Sequence, residues 1–78
     1  MIQVKLYQLL AERSLSGNDR YELEYAGGMT PADIIHREGW SGDEEEAIVV
    51  IVNDEQAKRD TPLSDGDRVE LMINMVGG

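Results

Sequence analysis

Three stretches of this sequence alternate apolar and polar residues with a period of two, a fourth is apolar throughout, and one well-signed helix lies among them. That order constrains the fold more than any other feature of the chain. In "IQVKLYQL" (residues 2–9), Ile2, Val4 and Leu6 fall on one side and Gln3, Lys5 and Tyr7 on the other, the pattern of a half-buried strand. "RYELEY" (20–25) repeats it with Tyr21, Leu23 and Tyr25 on one face, and its closeness to the first run predicts an antiparallel pair. "RVELMINMV" (68–76) turns Val69, Leu71 and Ile73 inward and Arg68, Glu70, Met72 and Asn74 outward. "AIVVIVN" (47–53) does not alternate. A β-branched run of this kind is expected of a strand covered on both faces, or of one that uses its second face for docking.

Between the strand pairs the period changes. Thr30 is a good N-cap, Pro31 suits the first helical position, and Asp33 stands where a capping-box acid belongs. Ile34 and Ile35 can face a core, and Gly39 suits a left-handed C′ position. Trp40 at C″ would then meet Ile35 at C3, closing a helix of about two turns over Pro31 to Glu38. "LAERSLSGND" (10–19) has room for one helical turn before the turn residues Gly17-Asn18-Asp19. "SGDEEE" (41–46) and "DEQAKRDTPLSDGD" (54–67) read as polar loops, with a tight turn at Asp65-Gly66. The expected order is β-β-α-β-β, a two-layer α+β domain in which one main helix covers a four-stranded sheet. If the first and last strands pair at its centre, they run parallel.

A chain of 78 residues forms one domain with a modest core, worth roughly 3–5 kcal/mol without a staple. It has no cysteine, which excludes disulfides, thiolate metal sites and thiol nucleophiles. The apolar run Ala47 to Val52 falls far short of the ~20 residues of a membrane span, and Lys5 and Gln8 break up any signal-peptide core. The expected location is the cytoplasm. Acidic residues outnumber basic ones 16 to 7, for a net charge of −9. Phosphate binding needs clustered Lys and Arg, so neither nucleic acid nor an anionic membrane is an expected partner. A basic protein surface is the natural counterpart.

Few residues suggest catalysis. The single histidine, His36, has no partner at a metal-ligand spacing and reads as a solvated helix residue. Gly27-Gly28 precedes a helix but lacks the further glycines or the lysine of a phosphate loop. Asp43 to Glu46 reads as a solvated acidic segment able to dock on a basic partner. Asp65 and Asp67 are turn residues without calcium-loop spacing.

The end of the sequence, "MINMVGG", is different. Glycine has no Cβ, so Gly77 and Gly78 make a tail slim enough to thread a narrow site, with an acyl carbon open to attack. Met75 to Gly78, when extended, spans roughly 13 Å. An enzyme could then activate the terminal carboxylate as an acyl-adenylate while the body of the domain stays outside. A sulfur donor or an amine could displace the adenylate.

The opening "IQVKLY", the helix start "TPADII", "IVVIVNDE" and above all "DTPLSDGDRVELMINMVGG" resemble the ubiquitin-like sulfur carriers of the MoaD and ThiS type, which have a β-grasp fold. The resemblance spans most of the chain and is most specific over the last nineteen residues. It implies a β-grasp domain over residues 1–74 and a flexible tail over 75–78. It also implies a protein co-substrate rather than an enzyme, with no cofactor bound and ATP used by a ubiquitin-activating-type adenylyltransferase. Gly78 would carry the acyl group and then the thiocarboxylate, and Gly77 would give clearance. Met75 and Val76 would contact the partner through the tail. Met72, Tyr7, Lys5 and Val50 or its neighbours would supply a docking face on the side of the sheet away from the helix. A sulfur donor protein and, in some members, a synthase large subunit are the other implied partners. Molybdopterin-type members often carry aromatic residues on the first strand and a proline before the tail; here Lys5 and Tyr7 hold the first-strand places, Asn74 and Met75 stand where the proline would be, and the chain has no Phe. The receiving pathway therefore stays open between molybdopterin, thiamine and tRNA thiolation. Conjugation to lysines through Gly78 and a plain interaction module are the alternatives.

Overall fold

The computed structural model describes residues 1–7, 9–13 and 17–73, with residues 9 and 13 followed in the backbone only. The expectations for Asn74 and for the 75–78 tail lie outside the described residues. The elements run β1 (Ile2–Leu6), α1 (Leu9–Arg13), β2 (Arg20–Leu23), α2 (Pro31–Arg37), α3 (Asp43–Glu46), β3 (Ile48–Val52), β4 (Glu55–Ala57) and β5 (Arg68–Ile73).

The strands form one sheet in the order β2-β1-β5-β3-β4. β1 pairs antiparallel with β2 and parallel with β5, so the first and last strands lie side by side as expected. β3 is antiparallel to both β5 and β4. The alternating pattern places Ile2, Val4, Leu6, Val69 and Leu71 in the core and Tyr21 and Leu23 at its edge, but β2 ends at Leu23 and Tyr25 is exposed rather than on that face.

Helix α2 is too short to be stable alone. It persists because Ile34 and Ile35 are fully buried against the sheet, each contributing about 1.5–3 kcal/mol. Both of its ends follow the sequence signals. The backbone N–H of Thr30 donates to Asp33 Oδ2 at 2.9 Å. At the other end Gly39 adopts φ +90°, Trp40 N donates to Ile35 O at 3.2 Å, and Gly39 N donates to His36 O at 3.0 Å. Those two bonds are the Schellman pair. The C-cap residue Glu38 is buried and accepts a hydrogen bond from the Tyr21 hydroxyl, tying α2 to β2. Burial, and next the bond to Glu38, push that hydroxyl's pKa well above the ordinary tyrosine range.

The structure corrects the expected count in two places. The sheet has five strands among the described residues, because "DEQAKRD" contains β4. Asn53 (φ 50°) and Asp54 (φ 71°) form a two-residue hairpin turn that pairs Val52 with Glu55. Two left-handed residues in a row are the mark of a type I′ turn, and Asn and Asp tolerate that region better than other non-glycines. β4 read as loop because Glu55 and Gln56 are exposed on an edge strand and only Ala57 packs on the core. Likewise the single main helix is joined by α1 and by α3, which occupies the acidic stretch read as a loop. The Asp65-Gly66 turn is present: Gly66 has φ +94° and Asp67 N donates to Ser64 O at 3.1 Å.

Candidate functional site

Helices α1 and α2, the segment after α2 and the Leu63 loop cover one side of the sheet, where Leu10, Ile34, Ile35, Trp40 and Leu63 join the strand residues in the core. The opposite side carries Gln3, Lys5, Arg68, Glu70 and Met72, with Val49 and Ile51 brought beside them by the β3–β5 register. Lys5, Tyr7 and Met72, the expected docking residues within the described part of the chain, therefore come together on one open face. Val50 does not join them. It pairs with Leu71, points inward and is 2 % exposed, so the docking contribution of β3 falls to its neighbours Val49 and Ile51.

The middle of this face is held by a small polar set. Lys5 Nζ lies 4.6 Å from the centroid of the Tyr7 ring, within cation–π range. The Tyr7 hydroxyl donates to the Glu70 carboxylate, and Glu70 is the register partner of Lys5. The backbone of Tyr7 extends the parallel pairing past β1, its N–H donating to Leu71 O at 3.1 Å. Tyr7 is thus fixed at three points next to the end of β5. Val49 and Met72 are direct cross-strand partners, so an apolar pair lies beside the tyrosine.

The face has a direction. Gln3 and Arg68 mark the end where β5 begins, and Tyr7 and Met72 lie near its last described residue, Ile73. At the far end the β3–β4 hairpin is stapled to the start of β5. Arg68 Nη2 donates to Asp54 Oδ2 at 2.9 Å, Arg68 N donates to Asn53 Oδ1 at 3.0 Å, and Asn53 Nδ2 donates to Asp67 Oδ1 at 2.9 Å.

The other sequence candidates prove structural. His36 Nε2 is 2.7 Å from Glu45 Oε1, and Arg59 Nη1 lies 3.4 Å from the other oxygen of the same carboxylate. Gly27 and Gly28 belong to a turn closed by Met29 N donating to Ala26 O at 3.0 Å. Asp65 pairs with the N-terminal amine, and Asp67 Oδ2 accepts from Ser64 N at 2.8 Å. Among the described residues no group of three His, Asp or Glu could hold a metal ion, and no helix is long and apolar enough to cross a membrane. Gly77, Gly78, Met75 and Val76 lie outside the described residues.

The ThiS family model matches residues 6–78, from the end of β1 to the terminal Gly-Gly. The chain belongs to the ThiS family. It is a ubiquitin-like sulfur carrier of the MoaD/ThiS type, and its fold is the β-grasp. SAMP1 from Haloferax volcanii is similar at 24% identity and TM-score 0.74, over 99% of this chain and 98% of that one. A putative molybdopterin converting factor subunit 1 from Pyrococcus furiosus is similar at 27% identity and TM-score 0.68, over 92% and 94%. A chain of the BexX/CysO complex of Amycolatopsis orientalis is similar at 22% identity and TM-score 0.68, over the full length of both chains. No curated protein matches the sequence.

The sequence leaves the β3 member of the open face undecided between Val50 and its neighbours, and the register assigns it to Val49 and Ile51. The signal was available in the unbroken apolar run of β3, since a strand with one core-facing side needs only alternate apolar residues.

Proposed function

We propose that this protein is a sulfur-carrying co-substrate whose working group is the Gly78 carboxylate. An activating enzyme of the ubiquitin-activating type docks on the open sheet face at Tyr7, Met72, Val49 and Ile51, with Lys5 at its border. Met75 and Val76 contact the partner through the tail, and Gly77, without a side chain, gives clearance. ATP supplied by the enzyme converts the carboxylate to an acyl-adenylate: an acyl–O–P bond forms and pyrophosphate leaves. A sulfur donor then displaces AMP at the acyl carbon, leaving a thiocarboxylate on Gly78. That sulfur passes on in molybdopterin synthesis, thiamine synthesis or tRNA thiolation, with a synthase large subunit among the recipients. The protein contributes positioning and a disposable acyl group, and the partner contributes the catalysis.

One observation carries this reading: the family match extends to Gly77-Gly78. The open face beside the end of β5 supports it, because docking there leaves the tail free to enter the partner.

Intact mass of the untagged protein from its own cells tests the reading. The expected result is a population heavier by the exchange of one oxygen for sulfur, localised to Gly78. Linkage of Gly78 to lysines would replace the carrier with a protein modifier. A chain left unmodified after ATP and its cognate activating enzyme are supplied would leave only an interaction module.

A further inference from the structure

A second feature lies at the Ile73 end of β5. Leu10, Trp40, Ala47 and Ile73 line a hollow of about 290 Å³, and Asp43 and Glu44 stand over it. Its floor is apolar. Its rim carries two exposed carboxylates that make no side-chain hydrogen bond or ion pair among the described residues. The third acid of the run behaves differently. Glu45 turns back to His36 and Arg59, anchoring α3 to α2 and to the loop after β4. The anchored turn holds Asp43 and Glu44 over the hollow.

We propose that this hollow receives a lysine or arginine side chain from the protein that takes up the tail. The inference rests on the proposed function, because it concerns that same partner. Two arguments select the occupant. The first is reach. Ile73 lines the hollow, and the five residues after it span at most about 17 Å when extended. A protein that holds the Gly78 carboxylate in its active site must therefore come up against this end of the domain. The second is chemical fit. An apolar floor beneath two unpaired carboxylates suits a side chain with an aliphatic stem and a cationic head. Lysine and arginine alone have that form. The contact is separate from the open sheet face: it lies on the helix side of the sheet, at the tail end, so a partner using both grips the domain around the root of the tail.

The test is ATP–pyrophosphate exchange by the cognate activating enzyme at low salt, with the concentration of this protein varied. In the double variant Asp43→Lys/Glu44→Lys the KM for the carrier is expected to rise about tenfold or more while kcat stays near the wild-type value, as for a lost charge pair that serves binding. Glu46→Lys is the control, since Glu46 belongs to the same acidic run but borders a different hollow beside Ala32 and Lys58. It should change KM by less than about twofold, as a charge away from the contact does. The chain has a single tryptophan, so 5-fluorotryptophan gives one ¹⁹F signal, from Trp40 at the hollow. That signal should shift when enzyme is added to the wild type and shift less in the double variant. A double variant with wild-type KM, while Met72→Asp raises it, would overturn the inference and leave the proposed function standing. A wild-type chain that supports no exchange would remove both.

Discussion

The two faces of the sheet are built from the same strands and obey different rules. On the helix side, β1, β3 and β5 contribute Ile2, Val4, Leu6, Ile48, Val50, Val69 and Leu71, all buried. On the open side β1 and β5 present Gln3, Lys5, Arg68 and Glu70, as a solvated face should, but β3 adds Val49 and Ile51 and β5 adds Met72. The inner face is accounted for by stability alone. On the outer face Val49, Ile51 and Met72 beside Tyr7 are only half-buried and leave part of their hydrocarbon in water, a surplus that the proposed docking of a partner would cover.

The sharpest way to break this contrast is to truncate two neighbours in β5. Leu71→Ala is expected to cost about 2–5 kcal/mol in urea denaturation, which is most of what a domain this small has. Met72→Ala, one residue on, should cost no more than about 1 kcal/mol. Equal losses would mean that the open face is part of the core.

Tyr21→Phe examines the inner face at its edge. It leaves the buried Glu38 carboxylate without that donor, and a cost of about 1–3 kcal/mol is expected. The pH dependence has a definite sign. The folded state holds Tyr21 protonated because its pKa is raised, whereas an unfolded tyrosine loses its proton near pH 10. The stabilisation is whole below about pH 10 and declines as the pH rises beyond it. Alkaline denaturation curves of the wild type should show that decline, and the Tyr21→Phe curve should lack this residue's share.

Charge placed on the outer face should separate binding from folding. Met72→Asp is expected to leave stability within about 1 kcal/mol and to weaken exchange with the activating enzyme about tenfold. Unchanged exchange would move the docking site elsewhere. The smallest effect belongs off the sheet, at Glu45→Gln. Losing the contacts to His36 and Arg59 should cost under about 1 kcal/mol in thermal melts, as partly exposed ion pairs do.

Periodicity was enough to read β1, β2 and β5, because each has one dry side and one wet side. Local capping chemistry was enough for α2, whose Asp33 and Gly39-Trp40 bonds appear where the residues predicted them. β4 was hidden because its polar residues satisfy an edge, and its turn is made by Asn53-Asp54 without the glycine that usually signals one. α3 was hidden because four acidic residues in a row carry no apolar period; tertiary anchoring of Glu45 holds it. For the site, the sequence named Lys5, Tyr7 and Met72 correctly as neighbours on one face. It left the β3 member open between Val50 and its neighbours, since an unbroken apolar strand does not reveal which residues face the core until its register is known. Strand pairing supplies that information.

The place of β5 between β1 and β3 has a consequence for biosynthesis. Without it the sheet is two separate hairpins, β1–β2 and β3–β4, each marginal in water. Both emerge from the ribosome before the strand that joins them, and its pairing with β1 closes a loop running from one end of the chain to the other. The strand that leads into the Gly-Gly tail is thus the one that completes the domain. Under the proposed function, a nascent chain cut short before β5 would offer a partner neither the complete open face nor Gly78, and the topology itself would keep incomplete products from activation.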